Sequence, residues 1–190
     1  MVSHAVLTLR GLDMGRDDRM GDFCCGYART DGRTQVPVDY GDSLFDSYML
    51  GADLLDEAVS GALRQFEHVT VMGHSKGAVV AGLWLGDADP DPARVDLVLL
   101  GNPGRRLGGD GPSWQRTPDN TGVRVRDVAR RWDGHANGDN WPDRPGAFLS
   151  RTRLWLGSLG GAHRDYEQVD LSGPLMLREQ AGGTAYLVAD

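Results

Sequence analysis

The segment that most constrains this chain is Gly73-His74-Ser75-Lys76-Gly77, set between the apolar run His68-Val69-Thr70-Val71-Met72 and a helical pattern over residues 76–85. A short buried-type strand, a glycine that breaks it and a helix directly behind describe a sharp strand-to-helix turn with a serine at its apex. Glycines flank Ser75 because such a turn brings backbone segments too close for Cβ atoms. The rest of the chain supplies the alternation that this turn belongs to. Val6-Leu7-Thr8-Leu9 reads as a strand closed by Gly11, and residues 12–45, rich in Gly and Asp, read mostly as loop. Residues 46–66 place Leu50, Leu54, Leu55, Val59, Leu63 and Phe66 at helical spacing. Residues 95–100 form a second apolar strand after the turn, closed by Gly101-Asn102-Pro103, and residues 123–128 a further core strand. Residues 104–121 read as loop, 154–159 as a helix end and 184–188 as a terminal strand. Strands alternating with helices predict an α/β fold with a central, mostly parallel sheet covered by helices on both faces. A length of 190 residues fits one domain, and no repeat or linker divides it.

Bulk properties narrow the partners. The formal net charge is −7, and an acidic balance repels phosphate backbones, so nucleic acid is not an expected partner. The longest apolar stretch, residues 78–85 with Gly82 inside it, is too short to span a bilayer. Met1-Val2-Ser3-His4 leads straight into strand pattern, with no basic start and apolar core, so no cleaved signal is expected. Cys24 and Cys25 are adjacent; a vicinal bridge would close a strained ring and staple nothing, so both read as free thiols. Residues 133–143 hold three Asp, two Asn and a His, but their spacing fits no EF-hand, and no metal or cofactor is implied.

A serine hydroxyl needs a base to become a nucleophile, and on this turn the partners follow in the order Ser, acid, His. The histidines after Ser75 are His135 and His163. His163 lies in a small-residue loop near the carboxyl end, Gly160-Gly161-Ala162-His163, where a base is expected; His4, His68 and His74 read as structural. Asp127, Asp133, Asp139 and Asp143 lie between nucleophile and base. Asp127 falls inside a strand pattern, whereas Asp133, in Trp132-Asp133-Gly134, follows a strand's carboxyl end, where α/β sheets place functional groups. Asp133 is therefore favoured, with Asp139 and Asp143 as alternatives. The backbone N–H of Lys76 and one from the Arg10-Gly11-Leu12 turn are the candidate oxyanion donors. The long loop over 104–121 carries Trp114, read either as an apolar wall of an acyl cleft or as a core residue covering the sheet edge.

At these residues the chain resembles the cutinase-like esterases of actinobacteria and their phages, in particular the PE-PPE hydrolase domain and the phage lysin B esterases. The similarity is carried by residues 6–11, by Gly73-His74-Ser75-Lys76-Gly77-Ala78-Val79-Val80, by Gly101-Asn102-Pro103-Gly104-Arg105, by Trp132-Asp133-Gly134 with Pro142-Asp143-Arg144-Pro145, and by His163-Arg164-Asp165-Tyr166. The resemblance implies an α/β-hydrolase fold, a Ser75–Asp133–His163 triad and hydrolysis of lipid or acyl esters, with no cofactor. In the lysin B reading the substrate is the mycolyl-arabinogalactan ester, and the protein is made in the cytoplasm and acts at the host envelope after phage lysis or within a virion. A general esterase or acyltransferase of PE-PPE type, and a phage structural protein using the fold as a binding module, are the competing readings. The chain departs from the pattern at Lys76, where Gln is usual, which puts a charge near the site, and at Leu12, where Thr is common.

Overall fold

The computed structural model describes residues 3–12, 18–41, 47–143, 148–159 and 161–190. Asp46, Arg144, Pro145 and Gly160, each part of a segment singled out above, lie outside the described residues. The strands are β1 (His4–Leu9), β2 (Arg33–Pro37), β3 (His68–His74), β4 (Val95–Leu100), β5 (Arg124–Arg130), β6 (Met176–Ala181) and β7 (Thr184–Ala189). They form one sheet in the order β2-β1-β3-β4-β5-β7-β6, parallel throughout except for the β6–β7 hairpin. β1, β3 and β4 read as mostly apolar runs, broken only by Thr8, Thr70 and Asp96 inside them, because both of their faces are covered.

One face carries α2 (Tyr48–Leu63) and α3 (Lys76–Ala88). Ala5, Leu7, Leu9, Val71, Leu97 and Leu99 pack there against Leu55, Val59 and Val80. Ser47 caps α2, its side chain accepting the Leu50 N–H at 3.2 Å. The Trp84 indole on α3 donates to Asp56 on α2 at 2.9 Å, so the two helices are tied as well as packed. The opposite face, holding Val6, Met72, Val98 and Val128, is covered by shorter pieces: Met20, Phe23 and Ala28 around α1 (Phe23–Gly26), and Tyr166 and Val169 near the carboxyl end. Among the described residues, helical cover on this face comes from α1 and the short 3-10 turn Tyr27–Arg29 that follows it. In α1 the residues Cys24, Cys25 and Gly26 all adopt left-handed backbone, with φ of 55°, 56° and 75°. Tyr166 and Glu167 hold the turn by accepting the N–H groups of Cys24 and Cys25 at 2.9 and 2.7 Å, and both thiols are free.

Two strands depart from the sequence reading. β2 lies inside the stretch read as loop, and β6 was not anticipated. Both are edge strands with half-exposed, mixed-polarity sequences, Arg-Thr-Gln-Val-Pro and Met-Leu-Arg-Glu-Gln-Ala, so neither shows the apolar run of a buried strand. β3 continues through Gly73 to His74 instead of breaking at the glycine, α3 runs three residues past Leu85, and the predicted helix end belongs to α4 (Phe148–Ser158).

Register brings the site together. Leu9 pairs with Gly73, His74 with Leu100, and Leu100 with Val128, so the carboxyl ends of β1, β3, β4 and β5 lie side by side. The turns that leave these ends carry Gly11, Ser75, Gly101 and Asp133. The β4 turn is fixed by a buried polar knot. Asn102 donates to Thr117 and Asp127 at 3.0 and 2.9 Å and accepts from Gly104 N–H at 2.8 Å. Arg105, wholly buried, donates to the Asp127 and Leu187 carbonyls at 3.1 and 2.9 Å and lies beside the Asp127 carboxylate. Burial raises the Asp127 carboxyl to about 6, with Arg105 and Asn102 acting against that rise. Asp127 is thus committed to holding the loop over 101–117.

Candidate active site

Ser75 sits at the apex of the β3–α3 turn with φ 53° and ψ −117°, a conformation that a non-glycine residue adopts only under constraint. The constraint is backbone packing. A Cβ on Gly73 would come within 2.5 Å of the Gly77 carbonyl oxygen, and one on Gly77 within 2.2 Å of the Leu9 carbonyl oxygen. The elbow therefore presses directly on the end of β1, and only glycine fits at either side. The Ser75 N–H donates to the Leu100 carbonyl at 3.0 Å, which fixes the apex on the other side.

His163 reaches this apex from the carboxyl-terminal part of the chain. Its Nε2 lies 2.9 Å from Ser75 Oγ, and its Nδ1 lies 2.9 and 3.0 Å from the two oxygens of Asp133. Asp133 is completely buried just beyond β5, and its Oδ1 also accepts the His135 N–H at 3.0 Å. Tyr166, equally buried, donates its hydroxyl to Asp133 Oδ2 at 2.8 Å and accepts the Arg130 N–H at 3.1 Å. Burial alone would raise the Asp133 carboxyl, but the charge and hydrogen bond of His163 and the hydrogen bond of Tyr166 bring it below its usual range. Asp133 is thus an ionised acceptor beneath the imidazole. The alternative acids are engaged elsewhere: Asp139 pairs with Arg178 and Asp143 with Arg131. Gly101 makes room for the contact, since a Cβ there would sit 3.0 Å from Asp133 Oδ2 and 3.2 Å from the His163 ring.

Sequence reasoning missed three supporting groups. His74 is buried under the site with Nε2 2.7 Å from the His163 carbonyl oxygen, and burial and the nearby His163 lower it to about 3. It is therefore a neutral imidazole donating Nε2–H to the backbone of the base. His135, passed over for His163 as the base, faces the same cleft as Ser75. Its ring meets the His163 ring edge-on at 4.6 Å, and its Nδ1 pairs with Asp110 at 2.8 Å, which raises its pKa. Tyr166 is the third. The sequence signals were a histidine inside the elbow, one two residues past the acid, and a tyrosine three past the base.

The oxyanion candidates border the serine. A Cβ on Gly11 would lie 3.0 Å from Ser75 Cβ, so that backbone turn lies directly against the elbow, and the Tyr40 hydroxyl holds it by donating to the Arg10 carbonyl. Leu12 and Lys76 both line the cleft over Ser75. The charge expected near the site from Lys76 is tied down: Nζ donates to the Gly41 carbonyl at 3.1 Å and lies over the Tyr40 and Tyr48 rings. The cleft has a volume of about 450 Å³, and its lining mixes apolar Leu12, Tyr48, Val79 and Pro103 with polar Asp110, His135 and Arg164. Trp114 is 56% exposed and meets Tyr48 edge-on at 5.3 Å, so it stands at the rim and not in the core. A larger hollow of about 580 Å³ opens at the amino ends of the strands beside His4, His68 and Asp96. Those histidines serve Thr70 and Asp96. Among the described residues no group of side chains is arranged to hold a metal ion, and no helix is long and apolar enough to cross a membrane.

A serine on a strained elbow, an imidazole within hydrogen-bond reach and a buried carboxylate behind it can deliver an alkoxide equivalent to a carbonyl carbon at the cleft floor. Among solved structures, a cutinase-like protein from Cryptococcus sp. superimposes with a TM-score of 0.57 at 14% identity, over 88% of this chain and 96% of that one. The fold is that of a cutinase-like α/β hydrolase. A provisionally described yden-like hydrolase from Pectobacterium atrosepticum is a looser match, with a TM-score of 0.44 at 14% identity over 82% of this chain and 72% of that one. No family model and no curated protein matches the chain. Within the cutinase-like fold the elbow, the β4 turn and the β5 end occupy adjacent strand ends, which is why residues so far apart in sequence meet at one cleft.

Proposed function

We propose that this protein is a serine ester hydrolase acting on lipid or acyl esters, with Ser75 as nucleophile, His163 as base and acid, and Asp133 as the orienting carboxylate. The observation that carries the reading is the continuous line Ser75 Oγ–His163 Nε2 and His163 Nδ1–Asp133, at 2.9 Å for each link. His163 takes the Ser75 proton as Oγ attacks the ester carbonyl. The resulting oxyanion is met by the Lys76 N–H and an N–H of the Gly11-Leu12 turn. Collapse expels the alcohol, protonated by His163, and leaves an acyl-enzyme; water activated by the same imidazole then releases the acid. Asp133, held ionised, stabilises the imidazolium in both half-reactions. The cleft's apolar lining suits an acyl chain and its polar groups an alcohol, and Trp114 on Tyr48 extends the apolar lining outward.

The finer reading is that the ester is mycolyl-arabinogalactan, cleaved at the cell envelope of an actinobacterial host. It rests on the resemblance to the cutinase-like esterases, lysin B among them, at the elbow, the Gly101-Asn102-Pro103-Gly104-Arg105 turn and the His163-Arg164-Asp165-Tyr166 segment, and on Cys24 and Cys25 standing as free thiols, as in lysin B. A chain-length series of chromogenic esters, run beside purified mycolyl-arabinogalactan, tests both levels. Turnover of esters that Ser75→Ala abolishes supports the hydrolase, and release of mycolic acid supports the finer substrate. An absence of turnover on every ester would leave the fold as a binding module instead.

A further inference from the structure

Large apolar side chains left in solvent are concentrated around one end of this molecule. Met49 and Leu50 flank Tyr48 at the start of α2, and Trp114 leans on that same Tyr48. Across the cleft stands α4, whose Ser158 lines it. Trp155, Leu156 and Leu159 on this segment are 62%, 56% and 60% exposed. Their spacing of one, three and four residues sets them on a single helical face. An ordinary surface helix turns that face inward; here it points out.

Packing fixes the orientation. Gly157 is buried, and a Cβ there would fall 1.9 Å from the Trp132 carbonyl oxygen, so the helix lies with its glycine on the Trp132-Asp133-Gly134 turn. Ser158 presses on Gly134 from the same side, and the Gly157 carbonyl accepts the His163 N–H at 3.1 Å. With that edge committed to the Trp132-Asp133-Gly134 turn, Trp155 and Leu156 are left facing outward, uncovered by any of the described residues. Charge is segregated here as well. The sequence of α4 holds two arginines and no Asp or Glu, in a chain whose formal net charge is −7. Arg153 is exposed within α4, over the Trp132 ring at 5.2 Å.

A helix with Trp and Leu on its outward face and arginine beside them has the composition of a segment that lies in the headgroup layer of an anionic lipid surface. A contiguous exposed apolar surface rimmed by charge also marks an interaction site rather than ordinary solvent-facing surface. We infer that α4 docks this protein on an anionic phospholipid surface, with Trp155, Leu156 and Leu159 entering the interface and the cleft mouth held against it. The occupant is anionic lipid because a negatively charged apolar layer complements both the exposed apolar face and the exposed Arg153 on the same helix. Docking in this pose presents Ser75 to an ester still embedded in its layer.

The test reads binding apart from catalysis. Ser75→Ala protein is sedimented with phosphatidylcholine vesicles and with mixed phosphatidylcholine–phosphatidylglycerol vesicles. Partitioning onto the mixed vesicles should be stronger by about ten-fold or more and should weaken with added salt. Arg153→Glu should lower partitioning onto the mixed vesicles by roughly ten-fold and leave the neutral ones nearly unchanged. Trp155→Ser with Leu156→Ser should lower both, again by about ten-fold or more. Both side chains are exposed, so the variants should melt with the parent. Equal binding of the two vesicle types, binding indifferent to these substitutions, or a dimer that Trp155→Ser and Leu156→Ser convert to monomer would each overturn the inference. Turnover of a soluble short-chain ester by the unmodified protein reports separately on the hydrolase reading, so the two can fail independently.

Discussion

Replacing Tyr166 with Phe removes one oxygen from behind the triad and leaves the ring in place, so no cavity forms. Burial and the neighbouring Asp133 carboxylate push the Tyr166 phenol well above its usual range, so at working pH it is always a donor. The substitution therefore deletes a hydrogen bond to a charged acceptor, worth about 1.5–3 kcal/mol, and strips the Arg130 N–H of its partner, at about 1–3 kcal/mol more. Since Arg130 is only partly covered, a total of about 3 kcal/mol is expected, which for a domain of this size lowers Tm by roughly 6–12 °C. Asp133 keeps the His163 and His135 donors, so orientation loosens without being lost, and kcat should fall by about ten-fold, or about 1.4 kcal/mol. KM should hardly move, because Tyr166 does not line the cleft. The pH dependence follows from Asp133. Its folded pKa is depressed, so the stability it contributes is complete above the unfolded value of about 3.9 and is lost as pH falls through the folded value. Tyr166→Phe moves the folded value back up, so the charge-assisted part of the gap between wild type and variant should shrink below about pH 4. Thermal melts from pH 3 to 8, beside steady-state kinetics on a soluble ester, measure all three. A Tyr166→Phe protein with unchanged Tm and kcat, or one altered only in KM, would refute the reasoning.

Other expectations follow from neighbouring groups. Asp133→Asn should cut kcat by about 10⁴ while sparing substrate binding, since an amide favours the wrong imidazole tautomer; Asp139→Asn and Asp143→Asn, whose partners are arginines elsewhere, should cost far less, as kinetics on the three proteins will show. His74 is held down at about 3, so folding loses stability as pH drops from about 6.5, where the unfolded imidazole protonates, toward 3. His74→Gln should flatten that acid limb in a wild-type-minus-variant comparison of melts; an identical slope would show that His74 is not held neutral. Trp114→Ala should lower kcat/KM for long-chain esters by roughly ten-fold while sparing short ones and leaving Tm within a degree or two; an equal loss on both ester classes would remove Trp114 from the acyl path.

The parts of this fold written in mostly apolar runs were legible in the sequence. β1, β3 and β4 are buried on both faces, so each announces itself over four to six residues, and the elbow between β3 and α3 marks Ser75. The order Ser, acid, His then narrowed the partners to residues that do converge. The edges were not legible. Arg33 to Pro37 in β2 alternates polar with apolar weakly, and β6 carries Arg178, Glu179 and Gln180 because one side of it meets water. The Gly182-Gly183 pair joining β6 to β7 was a hairpin signal, and it locates β6 in retrospect. The supporting shell was hidden for a different reason. His74, His135 and Tyr166 act through contacts to Asp133 or His163 made across sequence separations of 30 residues and more, or through ring packing, and no local pattern encodes those. Arg105 and Asp127 illustrate the same limit: nothing local marks an arginine in a loop and an aspartate in a strand as partners, yet both are fully buried against each other.

Attack by Ser75 on the ester, with the acyl group carried on its Oγ, is read directly by intact-mass and peptide mass spectrometry after treatment with an alkyl phosphonate ester. A single adduct is expected on the peptide containing Ser75, formed at a rate that Asp133→Asn and His163→Ala each slow by orders of magnitude, and absent from Ser75→Ala protein. An adduct on a different serine, or labelling of Ser75 that proceeds equally fast without His163, would contradict it.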